Sequence, residues 1–205
     1  MNSEIKEHYK KLFLQHGINP KSVQWSDSVT QTNRFKILSE IDVNLDSVID
    51  VGCGLGDFFT YLKKEKKFSG SYLGLDYLQE FVQACKDQFG SESNAAFQLF
   101  DLTRDNVPSA YDYIFLSGVF NNKIEQNEQF MYQSIKKMFE AALKGVSFNA
   151  LSTYVDYEDD GLYYSDPLAV FDFCKKNITR KVTLRHDYLV KEGSIPFEYT
   201  IYLYK

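Results

Sequence analysis

The stretch Val48–Phe59, VIDVGCGLGDFF, constrains the fold more than any other part of this sequence. An apolar run passes through Asp50 into three alternating glycines, Gly52, Gly54 and Gly56, and phenylalanines follow at once. A short apolar run closed by glycine reads as a buried strand, and the residues after it read as the opening of a helix. Glycines between the two allow a tight turn and a close approach of the backbone to whatever lies over it. Such strand–loop–helix units belong to open α/β sheets, which bind ligands beyond the carboxyl ends of their strands.

The rest of the chain repeats the alternation. SVIDVG, SYLGLD, AAFQLFDL, YDYIFLSG and VSFNALS read as strands; DFFTYLKKEKK, LQEFVQACKDQFG and QNEQFMYQSIKKMFEAALKG read as helices, the last capped by Gly145. Two helical runs precede them, SEIKEHYKKLFLQHG with Gly17 as its cap and TQTNRFKILSEID. After a helix that opens at Asp166-Pro167, the segments KVTLRHDYLV and FEYTIYLYK lie close enough in sequence for a terminal hairpin. The pattern predicts a Rossmann-like three-layer α/β sandwich: a mostly parallel seven-stranded sheet ending in an antiparallel hairpin, with N-terminal helices added. It predicts one domain over 1–205, with a helical lid over 1–45, a ligand-binding core over 46–150, and a loop, helix and hairpin over 151–205.

Composition narrows the class of ligand. The net charge of −5 disfavours a nucleic-acid groove, which depends on Lys and Arg to neutralise phosphate. No apolar segment approaches the roughly 20 residues of a membrane helix, and the first thirty residues lack the order of a signal peptide. A cytoplasmic protein with no membrane partner is the expectation. Three widely spaced cysteines, Cys53, Cys85 and Cys174, fit neither a disulfide framework nor a zinc site, so no metal is expected.

A dinucleotide fingerprint would read G-x-G-x-x-G. Here the spacing is G-x-G-x-G, and Asp50 beside it would repel a diphosphate, so a ligand carrying a positive group suits this edge better. DVGCGLG, GLDY, FDL and FLSGVFN, in this order, resemble the first four motifs of the class I S-adenosylmethionine-dependent methyltransferases. The resemblance spans most of residues 46–150. The tail from Asp160 to Lys205 looks like that of compact stand-alone bacterial members, which implies a small-molecule acceptor and O-methylation of a carbohydrate or secondary metabolite.

The resemblance also implies roles. Gly52, Cys53, Gly54 and Gly56 would let the backbone pack against S-adenosylmethionine, with Asp50 near its amino-acid end. Asp76 would accept hydrogen bonds from both ribose hydroxyls, Asp101 and the Leu102 backbone would read the adenine, and Tyr77 and Leu102 would flank its ring. Ser117, Gly118 and Val119 would line the methionine portion. Asp76 and Asp101 each have an ordinary alternative as a turn former or helix cap.

Methyl transfer from a sulfonium asks the protein mainly to align a nucleophile, exclude water and manage one proton. His186, at the end of the sixth strand in the family's order, is the predicted general base, with a packing histidine as the alternative. Trp25, Arg34, Asn121 and Tyr154 are the predicted acceptor-side residues. N-methylation of a small molecule, a non-catalytic S-adenosylmethionine-binding partner subunit and a nucleotide-dependent oxidoreductase are the competing readings. The chain is expected to act as a monomer or homodimer.

Overall fold

The structure is a computed structural model that describes residues 3–24 and 27–205. Strand β1 (Ser47–Val51) lies inside the sheet, parallel to β2 (Ser71–Asp76) on one side and to β4 (Tyr113–Leu116) on the other. β3 (Ala95–Leu99) extends the sheet beyond β2, and β5 (Gly145–Ser152) extends it beyond β4. β8 (Glu198–Tyr204) then runs antiparallel to β5, and β7 (Val182–Arg185) closes the edge antiparallel to β8. The order β3-β2-β1-β4-β5-β8-β7 carries the seven expected strands and their terminal hairpin. The two-residue β6 (Tyr164–Ser165) pairs with the end of β5 and is one strand more than the pattern predicts.

Both faces of the sheet are covered, so its inner strands are apolar throughout and divide their side chains by alternation. Ile49, Val51, Ile114, Ile201 and Leu203 pack with α5 (Asn127–Ala141) and α6 (Pro167–Asn177), through Ile135, Met138 and Cys174. Val48, Tyr113, Phe115 and Tyr202 face the other way. They meet α2 (Ser28–Leu38), α3 (Asp57–Glu65) and α4 (Gln79–Phe89) through Phe35, Leu38, Phe58, Leu62 and Cys85. The same alternation puts Asp50, two residues after Val48, and Glu198, four before Tyr202, toward the α2 side.

Helix α1 (Ser3–His16) ends as the sequence predicts, with Gly17 at φ 63° and its N–H donating to the Phe13 carbonyl at 2.8 Å. Asp166 caps α6 by accepting from the Leu168 N–H, with Pro167 at the first helical position. Gly145 is a correction. Helix α5 stops at Ala141, and Gly145 instead opens β5, where a Cβ would come within 2.4 Å of the Leu203 carbonyl oxygen. Close strand packing, not helix termination, requires that glycine.

Candidate active site

The glycine loop and the carboxyl ends of β1, β2 and β4 border a cavity of about 340 Å³, within the usual range for ligand sites. The Gly52 and Cys53 N–H groups donate to the Leu75 carbonyl at 2.7 and 3.1 Å, which ties the loop to β2. Gly52 has φ 75° and Gly54 φ 54°, in the left-handed region that favours glycine. A Cβ on Gly52 would lie 2.3 Å from Val119 Cγ2, and one on Gly54 would lie 2.9 Å from Val23 Cγ1. What presses on these two glycines is therefore the protein itself, the loop after β4 and the segment after α1. Gly56 stands apart from the cavity wall; it precedes α3 and leaves room for the Phe89 ring.

Four carboxylates line the cavity: Asp50, Asp57, Asp76 and Glu198. Burial pushes Asp50 up to about 7, although the Tyr72 hydroxyl donates to its Oδ2 at 2.6 Å. Burial also pushes Asp76 up to about 6; its Oδ2 accepts from the Gly54 N–H and its Oδ1 from the Leu78 N–H, both at 2.9 Å. Asp57, at the start of α3, is raised by burial too, and Gln31 Nε2 donates to its Oδ2 at 3.0 Å.

Glu198 has a different setting. Arg34 Nε donates to Oε1 and Oε2 at 2.8 and 2.9 Å, and Nη2 donates to Oε1 at 2.6 Å, in a pair only 7% and 1% exposed. Asn149 Nδ2 donates to Glu198 Oε2 at 3.1 Å, and Asn149 Oδ1 accepts from the Gly118 N–H at 2.9 Å. This chain of bonds joins helix α2 to the loop after β4.

The N-terminal segment also contributes Ile5, Tyr9, Val23 and Gln24 to the wall. The Tyr9 hydroxyl donates to Gln24 Oε1 at 2.8 Å and accepts from Asn122 Nδ2 at 3.0 Å, so it bonds α1 to the loop after β4. Its ring meets Tyr77 and Phe81 edge-on, and burial pushes its pKa up to about 12.

Asp50, Gly52, Cys53, Gly54, Asp76, Tyr77, Leu102, Ser117, Gly118, Val119, Arg34 and Asn121 all line the cavity. Asp101 does not. Its Oδ1 accepts from the Thr103 N–H and hydroxyl at 2.9 and 2.6 Å, the turn-forming alternative for a single aspartate after a strand.

His186 is likewise absent from the cavity wall. It follows β7 and lines a separate cleft with Tyr154, Pro167, Leu168, Leu184 and Pro196. Its Nε2–H donates to the Pro196 carbonyl at 3.0 Å, and its ring lies between those of Tyr154 and Tyr199. In this position it packs against its neighbours as the alternative reading expects, and Tyr154, more than half exposed beside it, is also absent from the cavity wall. Trp25 lies outside the described residues.

Sequence reasoning missed Tyr9, Asp57, Asn149 and Glu198 as parts of the site. A signal for the α2 contribution was present: Gln31, Arg34, Phe35 and Leu38 follow the i, i+3, i+4, i+7 spacing of one helix face. Two polar residues on an otherwise apolar, buried face require partners inside the protein.

The cavity fits a polar, partly cationic ligand. Among the described residues Tyr77 OH, Ser117 Oγ and Asn121 Oδ1 are buried without a hydrogen-bond partner, and each line it. Such atoms cost about 1–3 kcal/mol each if left unsatisfied. Asp50, Asp57 and Asp76 have no ion-pair partner among the described residues, which suits a ligand with a positive group.

Comparisons with known proteins agree. A family profile described as a methyltransferase domain matches residues 49–141. Rv1506c of Mycobacterium tuberculosis, a provisionally named methyltransferase, is 34% identical over 155 residues, 73% of this chain and 90% of that protein. Magnesium protoporphyrin IX methyltransferase ChlM from Synechocystis PCC 6803, solved with bound S-adenosylmethionine, superposes with a TM-score of 0.69 at 12% identity, covering 98% of this chain and 96% of its own. The N-methyltransferase NodS of Bradyrhizobium japonicum WM9, solved with S-adenosylhomocysteine, gives 0.68 at 11% identity over 97% of each chain. These two likenesses show the fold, and the closer sequence relationship shows the family: the chain belongs to the class I S-adenosylmethionine-dependent methyltransferases.

Proposed function

We propose that this enzyme methylates a hydroxyl of a small-molecule acceptor of carbohydrate or secondary-metabolite type. The observation that carries the reading is the pair of unpartnered polar atoms, Ser117 Oγ and Asn121 Oδ1, on one loop of a cavity whose wall also includes Phe35, Phe58 and Phe197. Asn121 Oδ1 is an acceptor, so it suits an O–H or N–H donor on the ligand. ChlM acts on magnesium protoporphyrin IX, which supports a small acceptor, and the net charge of −5 supports one that is not nucleic acid.

In this reading Asp76 receives the ribose hydroxyls, since each of its oxygens keeps a lone pair beyond the backbone N–H it already accepts. Asp50 faces the amino-acid end, Tyr77 and Leu102 flank the adenine, and Gly118 and Val119 border the methionine portion. When bound, S-adenosylmethionine supplies a methyl group already activated on a sulfonium. The residues of this chain then orient the acceptor and exclude water. With His186 outside the cavity, Asn121 Oδ1 would position the acceptor hydroxyl, and the proton that the hydroxyl gives up on methylation would pass to a carboxylate of the cavity rather than to histidine.

An amine acceptor is the second reading, favoured by the unpaired carboxylates of the cavity. Incubation with methyl-labelled S-adenosylmethionine and panels of hydroxylated metabolites, sugars and amines tests both. O-linked label supports the proposal; label only on nitrogen replaces it with the second reading. Binding of the cofactor with no transfer to any panel member would favour a non-catalytic partner subunit.

A further inference from the structure

We propose that Asp57, oriented by Gln31, holds the ammonium group of the methionine end of the cofactor. This rests on the reading of the cavity as the cofactor site and assigns a residue outside the glycine motif to it. Asp57 opens α3 directly after the glycine loop, and its carboxylate lines the same cavity as that of Asp50. Tyr72 occupies one oxygen of Asp50 and Gln31 one oxygen of Asp57, so each carboxylate keeps an oxygen without a protein donor among the described residues.

The two carboxylates repel one another, and neither has an ion-pair partner among the described residues to offset that repulsion. Arg34, which also lines the cavity, is held by Glu198 through three contacts. Lys191, the other cation of the wall, is exposed and joins no ion pair with Asp50 or Asp57. A buried carboxylate, Asp50, beside a half-buried one, Asp57, without a counter-charge is costly, and an ammonium with three N–H donors answers both at once. Ser117 Oγ and Asn121 Oδ1, on the loop after β4, also line this cavity without a protein hydrogen-bond partner, so its polar lining continues beyond the two carboxylates.

Gln31 gives the arrangement its second consequence. Its amide can donate only to an acceptor oxygen, so it favours the ionised form of Asp57, and it stands on α2 beside Arg34. The amino-acid end of the cofactor would thereby help hold α2 against the glycine loop.

The test is calorimetric titration of the wild-type protein, Asp57→Asn and Gln31→Leu with S-adenosylhomocysteine and with 5′-methylthioadenosine, which lacks the amino-acid end. Asp57→Asn is expected to weaken S-adenosylhomocysteine about tenfold or more and leave 5′-methylthioadenosine within about twofold, as removal of a charge-assisted hydrogen bond implies. Gln31→Leu is expected to weaken S-adenosylhomocysteine by about threefold, again sparing the shorter ligand. Equal losses for both ligands, or no loss for S-adenosylhomocysteine, overturn the assignment. Should Asp57→Asn fail to fold, the Gln31→Leu ratio decides alone. Failure of the wild-type protein to bind S-adenosylhomocysteine overturns the cofactor-site reading itself.

Discussion

Replacing Gly52 by alanine tests why the loop is glycine-rich. The residue sits at φ 75°, where a side chain costs about 1–2 kcal/mol. The new Cβ would also stand 2.3 Å from Val119 Cγ2, far inside the usual carbon–carbon contact of about 3.5–4.0 Å. Overpacking of this kind costs about 1–3 kcal/mol, so the substitution should destabilise by about 2–5 kcal/mol in total. Val119→Ala removes the colliding methyl but not the backbone strain. The Gly52→Ala/Val119→Ala double variant should therefore recover about 1–3 kcal/mol relative to the sum of the single changes. Urea denaturation of all four proteins reads the cycle. Strict additivity would refute the claim that Val119 is what occupies the space over Gly52.

Other consequences are equally direct. Glu198→Ala leaves the Arg34 guanidinium buried with its three contacts gone and should cost about 3–5 kcal/mol, read as a lowered denaturation midpoint. Asp50 and Asp76 are raised by burial to about 7 and about 6, so the stability of the ligand-free fold that comes from their protonated forms is fully present below about pH 4 and is lost as pH rises through 6 and 7. A cationic ligand favours their ionised forms, so affinity for S-adenosylmethionine should rise over the same interval; titrations at several pH values showing a fall would contradict this. His186→Asn should leave turnover, with an acceptor found by screening, within about twofold, because a residue in a separate cleft contributes no transition-state contact.

The elements that position the site were legible because each carried its own local signal. The apolar run into Gly52 gave a strand and a turn, Asp166-Pro167 gave a helix start, and the motif order gave the cofactor edge. Gly145 misled because a glycine after a helical run resembles a cap, and only the partner strand shows that Leu203 crowds it. Asp101 is legible only as a motif position: its neighbours Phe100 and Leu102 line the cavity, while its own side chain bonds Thr103 in a turn. His186 was reached by counting strands, which places a residue at an edge but not in a cavity; the Pro196 carbonyl and the two tyrosines hold it elsewhere. Arg34, Glu198 and Asn149 come from α2, β8 and β5, and no local pattern states that residues 164 positions apart will pair. Burial of charge on an apolar helix face and an apolar strand indicates that partners exist without naming them.

The central claim is that this cavity binds S-adenosylmethionine, with Asp76 as the ribose anchor. The most direct measurement is calorimetric titration of the wild-type protein and Asp76→Ala with S-adenosylmethionine, with NAD as control. S-adenosylmethionine but not NAD should bind, with a loss of about tenfold or more in a folded Asp76→Ala variant, the size of a charged hydrogen-bonding partner removed. Binding of NAD alone, or unchanged affinity in the folded variant, would contradict it.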